Sequence, residues 1–279
     1  MSHTLRIDSH MHVWQLSRGD YGWLTPNLPT IYRDFTVEDV RASWEQAEID
    51  YAMLVQAAPT LEETRFLLSV AENEPKIRGV VGWIDMLVPD AVNQLERLAF
   101  NQLFRGIRPM LQDIPDDGWM LKPELAPVYR AVVDLGLCFD ALALPQHLPN
   151  LLLLIERYPD LKVVIDHAAK PPIGEPLESW HKNLAQLADI PHVNCKFSGL
   201  VTECRGQTSK AALEPVSQTL LDLFGPERLM FGSDWPVCTL RSSYIQWWQW
   251  AQELTAHLPP EQKSAVFGGN AQRFYGLRS

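Results

Sequence analysis

Two imidazoles spaced by one residue, in Asp8-Ser9-His10-Met11-His12, can grip one cation from a single strand. Alternation along a strand would put Asp8, His10 and His12 on one face. Ile7 and Met11 would then point the other way, into a layer of helices. The bland alternative is a pair of histidines satisfied by hydrogen bonds. A carboxylate follows far downstream, in Phe231-Gly232-Ser233-Asp234-Trp235-Pro236. Asp234 there is a metal ligand or a proton acceptor for water, or else a helix N-cap. In Ile165-Asp166-His167-Ala168-Ala169-Lys170-Pro171, His167 ends an apolar run. It is either a core histidine or a third imidazole for the same cavity. Three histidines and one carboxylate at three strand ends would make a mononuclear zinc site with one position open for water.

Arg108, in Arg105-Gly106-Ile107-Arg108-Pro109, would be costly inside a barrel unless it meets an anion or a carbonyl. That favours substrate binding over structural pairing. Lys196 and Glu203 lie in and just after another strand. Each is placed to touch substrate, or they pair with each other. Gln56 and Trp83 end two further strands and are weaker substrate candidates. No Gly-x-Ser-x-Gly elbow is present, so a serine nucleophile has no support.

These groups need a scaffold that brings strand ends together. Apolar runs at 5–13, 51–57, 77–85, 104–111, 138–144, 162–168, 193–199 and 228–234 read as strands buried on both faces. Helical patterns lie between them. Val37, Val40, Trp44 and Ala47 repeat at helical spacing, and Thr60 with Glu63 predicts a capping box. Pro123 can open a helix and Gly136 can close it. Further helices are predicted near 147–157, 177–188, 211–224, 243–256 and 261–267. Eight strands alternating with helices in 279 residues predict an α/β fold, a TIM-type (β/α)8 barrel forming one domain over 1–279. No glycine-rich dinucleotide fingerprint follows the first strand, which disfavours an open nucleotide-binding sheet. Barrel chemistry sits where strands end, so the long loop 17–33, with Tyr21 and Trp23, is placed to cover the pocket.

A formal net charge of −10 argues against nucleic acid as a partner, because phosphate binding needs a basic face. No apolar run is long enough for a membrane span, and the first residues have no signal core. Cys138, Cys195, Cys204 and Cys238 form no C-x-x-C pair and read as reduced thiols of a cytoplasmic protein. Trp247, Trp248 and Trp250 read as helix packing or as a face for self-association into a homo-oligomer.

In RIDSHMHVW, VVGWIDM, FRGIRPMLQD, VVIDHAAKP, CKFSGLVTE, RLMFGSDWPVC and GGNAQRFYGL, the chain resembles the amidohydrolase superfamily, in its amidohydrolase 2 branch. Within that branch it is similar to the sugar-lactonase group. The resemblance spans nearly the whole chain and implies a distorted barrel with His10, His12, His167 and Asp234 at its active centre. Two-metal members carry a bridging carboxylated lysine or a glutamate on strand four, where this chain has Arg108. That implies one divalent metal, zinc by its ligands, or none, since related pyrone-dicarboxylate lactonases work without a required metal.

The implied activity is hydrolysis of a small lactone, most simply an aldonolactone. Asp234 would take a proton from water and return it to the leaving ring oxygen, while Arg108 or the metal stabilises the oxyanion. Gln56, Lys196 and Glu203 would read sugar hydroxyls, and Trp14, Trp83 or Trp235 would supply a flat wall. The alternatives are a metal-dependent decarboxylase using the same groups and, at a lower rank, a non-catalytic binding barrel.

Overall fold

The apolar runs form one parallel sheet curled into a barrel. In the computed structural model, which describes residues 5–277, its strands are β1 (Ile7–Met11), β2 (Tyr51–Val55), β3 (Ile77–Gly82), β4 (Phe104–Ile107), β5 (Cys138–Ala141), β6 (Lys162–Ile165), β7 (Asn194–Phe197) and β8 (Leu229–Phe231). They lie side by side in chain order. Each is followed by the helix of the same number: α1 (Val37–Ala47), α2 (Leu61–Asn73), α3 (Ala91–Ala99), α4 (Ala126–Asp134), α5 (Leu148–Arg157), α6 (Glu178–Ala188), α7 (Lys210–Phe224) and α8 (Tyr244–Leu254). The short α9 (Pro260–Ser264) and α10 (Asn270–Tyr275) complete the chain. This is the predicted TIM-type barrel, with shorter strands than the apolar runs suggested. The helix α3 has no counterpart among the segments predicted from sequence.

Local signals explain where the helices begin and end. Ser209 and Ser243 cap α7 and α8 by accepting the backbone N–H groups of Ala212 and Gln246. Gly136, at φ 67°, stops the chain after α4 in a conformation that favours glycine. The predicted box at Thr60 is only half formed. The Thr60 hydroxyl accepts the Glu63 N–H, but the Glu63 carboxylate turns away and accepts the N–H groups of Ala57 and Ala58 beyond β2. Trp247 and Trp248 are buried against Phe231, so they serve helix packing. Among the described residues, no helix is long and apolar enough to cross a membrane. All four cysteines are buried and unbridged.

Inside the barrel the period of two gives layers. Ile7, Met53, Val55, Val81, Cys138, Val164 and Met230 form an apolar floor with Ala271 and Tyr275 from α10. Full burial of each large aliphatic side chain there contributes about 1.5–3 kcal/mol. Two residues further along their strands, Cys138, Val164 and Met230 give way to Asp140, Asp166 and Gly232. One more step beyond Gly232 reaches Asp234, and two residues beyond Gly106 stands Arg108. The same alternation that builds the floor therefore delivers the polar groups above it.

The first strand breaks this rule. Between Asp8 and Met11, β1 uses three steps where β2 uses two, from Ala52 to Leu54. This bulge lets Ile7 face the floor while His10 still faces the barrel axis. It corrects the expectation from simple alternation. Ile7 does not point into the helix layer, and Asp8 does not share the histidines' face. Asp8 instead accepts the backbone N–H of Ser233 at 2.8 Å and the hydroxyl of Tyr244, on α8, at 3.1 Å.

The sheet closes loosely between β8 and β1. One bridge, Met11 to Trp235, and two backbone bonds carry the join: Asp234 N–H to His10 O at 2.8 Å and His12 N–H to Trp235 O at 2.7 Å. Side chains supply the rest, through Asp8 and through Ser9, whose hydroxyl donates to Phe231 O at 2.6 Å.

Candidate active site at the barrel seam

The loose seam gathers His10, His12 and Asp234. Their donor atoms lie within 4.8 Å of one another, and all three residues are buried. His10 Nε2 and His12 Nε2 are 3.3 Å apart. Asp234 Oδ1 lies 3.4 Å from His12 Nε2 and 3.9 Å from His10 Nε2. A tetrahedral ion with bonds of about 2.0–2.1 Å separates its ligands by about 3.4 Å. The trio therefore fits a divalent cation. His167 joins from the side of Asp234, with its Nε2 3.6 Å from the same Oδ1.

Each ring is held by its far nitrogen. His12 Nδ1 bonds Val55 O at 2.7 Å, which leaves the Nε2 lone pair free for a metal. His167 Nδ1 meets the Ser198 hydroxyl at 2.8 Å. His10 Nδ1 lies 3.3 Å from Asp166 and 3.1 Å from Lys196 Nζ. Burial lowers the pKa of His10 well below its ordinary value, with Lys196 adding to the effect. Burial likewise pushes His167 down to about 4. Both imidazoles are thus neutral near pH 7, as ligation requires. Burial alone would raise the Asp234 carboxyl, but His167 and His12 overcome it and hold the group below its ordinary range. An ionised carboxylate therefore faces the neutral rings of His10 and His167.

Two glycines and an unusual turn make room for this packing. A Cβ on Gly232 would stand 2.7 Å from that of His10, and one on Gly199 would stand 2.4 Å from His167 Nδ1. Beyond β6, His167, Ala168, Ala169 and Lys170 all have φ between 52° and 56°. Left-handed backbone costs about 1–2 kcal/mol per residue without glycine. The Trp180 indole, donating to Ala168 O at 2.7 Å, and the Lys170 N–H, donating to His167 O at 2.8 Å, hold the turn in place. Its result is that His167 and Lys170 both line one cavity.

That cavity, of about 270 Å³, is walled by His12, His167, Asp234 and Arg108, with Lys170 and Glu203 opposite. Leu28 and Trp23, from the long loop after β1, also line it. The Trp23 indole is fixed by donating to Ala57 O at 2.6 Å.

The profile of the amidohydrolase family matches residues 7–277. The chain belongs to the amidohydrolase family. An L-fucono-1,5-lactonase of Burkholderia ambifaria is 43% identical, over 98% of this chain and 96% of its own. A second L-fucono-1,5-lactonase, from Burkholderia multivorans, is 36% identical with the same coverage. A crystal structure of an amidohydrolase from Burkholderia multivorans with bound Zn superposes with a TM-score of 0.92 at 34% identity, covering 98% of this chain and 100% of that one.

In this amidohydrolase the candidate groups fall at different depths. His10, His12, Asp234, His167 and Arg108 converge as the sequence suggested, and Glu203 reaches the cavity wall. Glu203 pairs with Lys170 at 3.7 Å and not with Lys196. Lys196 is fully buried below the site, 2.5 Å from Asp140 and 3.0 Å from Asp166, so it faces no substrate. Gln56 is buried too. Its side-chain N–H donates to Arg108 O at 2.7 Å, and its backbone carbonyl accepts from the Arg108 guanidinium. It positions Arg108 instead of reading a hydroxyl.

Trp14 and Trp235 are not walls. Trp14 lies behind His12 with its indole donating to Arg33 O, and Trp235 packs edge-on against Phe35. Trp83 lines a neighbouring cavity. Lys170, Thr202 and Gln112 are wall residues that sequence reasoning missed. Asp140 and Asp166 were missed beneath them, although each stands two residues past a floor residue, which was a usable signal.

Proposed function

We propose that this amidohydrolase opens a sugar-acid lactone by adding water. The observation that carries the reading is the Asp234 carboxylate, 3.4 Å from His12 Nε2 and 3.6 Å from His167 Nε2, lining a cavity that also presents Arg108. Asp234 accepts a proton from water as the water oxygen attacks the lactone carbonyl carbon. The carbonyl electron pair moves onto oxygen, and the Arg108 guanidinium stabilises the charge formed there. Collapse breaks the bond to the ring oxygen, which takes the proton back from Asp234 and yields a hydroxy acid.

A divalent cation held by His10, His12 and Asp234 supplies Lewis acidity toward water and the carbonyl. Two nitrogen donors and one carboxylate suit zinc, as does the bound Zn of the related amidohydrolase. The named lactonase relatives favour an aldonolactone, with L-fucono-1,5-lactone the first to try. Four unbridged thiols favour a reducing compartment, the cytoplasm.

The test is a panel of aldonolactones assayed by acid release, run beside unsaturated carboxylic acids assayed for carbon dioxide. Saturable acid release from a lactone is expected. Carbon dioxide release without lactone turnover would assign the site to decarboxylation. Chelation followed by elemental analysis and metal readdition tests zinc, and full activity in verified metal-free protein would reject it.

A further inference from the structure

A second cavity, of about 560 Å³, adjoins the catalytic one and is about twice its volume. The two share Trp23 and Met110 as a common wall. Three indoles line the second cavity, from Trp23, Trp83 and Trp119. Three carboxylates line it as well, from Asp20, Asp85 and Asp113, and its described lining includes no Lys, Arg or His. Asp20 is held by Arg18 and Thr60 through its Oδ2, at 2.6 Å each. Its Oδ1 is buried and has no hydrogen-bond partner.

We propose that this cavity is a subsite for a neutral sugar ring carried by the lactone. The inference rests on the lactonase reading for the attached group, but the ring's own recognition does not depend on it. A sugar ring has apolar C–H faces that pack on indoles and peripheral hydroxyls that donate to carboxylates. The lining offers both partners. An anionic ligand would meet three carboxylates and no cation. A wholly apolar ligand would leave the three carboxylates of the lining facing it without donors, which is unfavourable. Trp23 and Met110 border both cavities, so a disaccharide lactone with its lactone ring beside Asp234 would reach over these two side chains to seat its glycosyl ring in the second cavity. Water then opens the lactone while the glycosidic bond stays intact.

The experiment compares kcat/KM for monosaccharide and disaccharide aldono-1,5-lactones in the parent and in Trp119→Ala, with Asp113→Ala as a second variant should Trp119→Ala fail to fold. In parallel, methyl glycosides are titrated while tryptophan fluorescence is followed, which needs no turnover. The parent should prefer the disaccharide lactone about tenfold, through KM. Trp119→Ala should erase that preference and leave the monosaccharide constant unchanged. Saturable quenching by methyl glycosides, lost in the variant, supports the subsite even if no lactone is opened, in which case the lactonase reading alone fails. Two results would overturn the proposal: no saturable glycoside response, or quenching by apolar alcohols in place of glycosides.

Discussion

Opposite walls of the barrel are built differently. Between β5 and β6 four residue pairs run in unbroken register, from Cys138–Lys162 to Ala141–Ile165. Between β8 and β1 there is one bridge, and side chains of Asp8 and Ser9 carry bonds that a regular ladder would have given to backbone. The regular wall is stable by repetition. The seam gives up repetition, and in exchange β1 can bulge and β8 can turn left-handed at Asp234, with φ 56°. Those two departures bring three donor atoms together. The candidate site sits where the ladder is weakest, in keeping with the clustering of irregular backbone at functional sites.

The largest effect should come from the seam's reacting group. Asp234→Asn keeps the shape and removes the base, so kcat should fall about 10²–10⁴-fold with the fold retained by circular dichroism. A smaller effect separates the two walls directly. Asp8→Ala leaves the Ser233 N–H and the Tyr244 hydroxyl without their acceptor, at a cost of about 3 kcal/mol. Its Tm should drop by about 5 °C, and kcat/KM should drop with it.

Val163→Ala, on the regular wall and fully buried, should cost about 2 kcal/mol by leaving a cavity, yet leave kcat/KM unchanged. If Asp8→Ala lowered Tm with full activity retained, the seam would be no more functional than its opposite wall. The smallest effect concerns Glu63, whose carboxyl burial pushes from its ordinary 4.5 up to about 7. The folded state then holds this proton more tightly than the unfolded state. The stability it contributes is complete below pH 4.5 and is lost as pH rises through 7. Thermal melts across that range should show the parent losing Tm relative to Glu63→Gln as pH rises.

Apolar runs made much of the barrel legible, and polar groups at the strand ends marked Arg108 and Asp234, while alternation put His10 and His12 on one face. It distinguishes inside from outside, but it carries no information on depth. Lys196, placed in its strand to touch substrate or pair with Glu203, lies a layer lower, bound to Asp140 and Asp166. Asp8 was misread because a one-residue bulge reverses the parity of everything before it, and no glycine or proline marks that bulge. The turn at 167–170 was equally hidden, since Ala168 and Ala169 carry no left-handed signal of their own. Its cause is tertiary, in the Trp180 hydrogen bond. Trp14 and Trp235 drew attention by standing beside the motifs, but neighbours along a strand end point to different layers.

The seam also has a consequence in time. Its bonds join residues 222 to 236 positions apart: Ser9 to Phe231, Asp8 to Ser233 and Asp8 to Tyr244. Contacts of such long range are slow to form and wait for the intervening chain. During synthesis the His-x-His segment precedes Asp234 by more than 220 residues and waits for them before the two can meet. A chain cut short before β8 lacks Asp234, and His10 and His12 then have no carboxylate to meet. The candidate centre is thereby assembled only after the segment beyond β8 has joined β1.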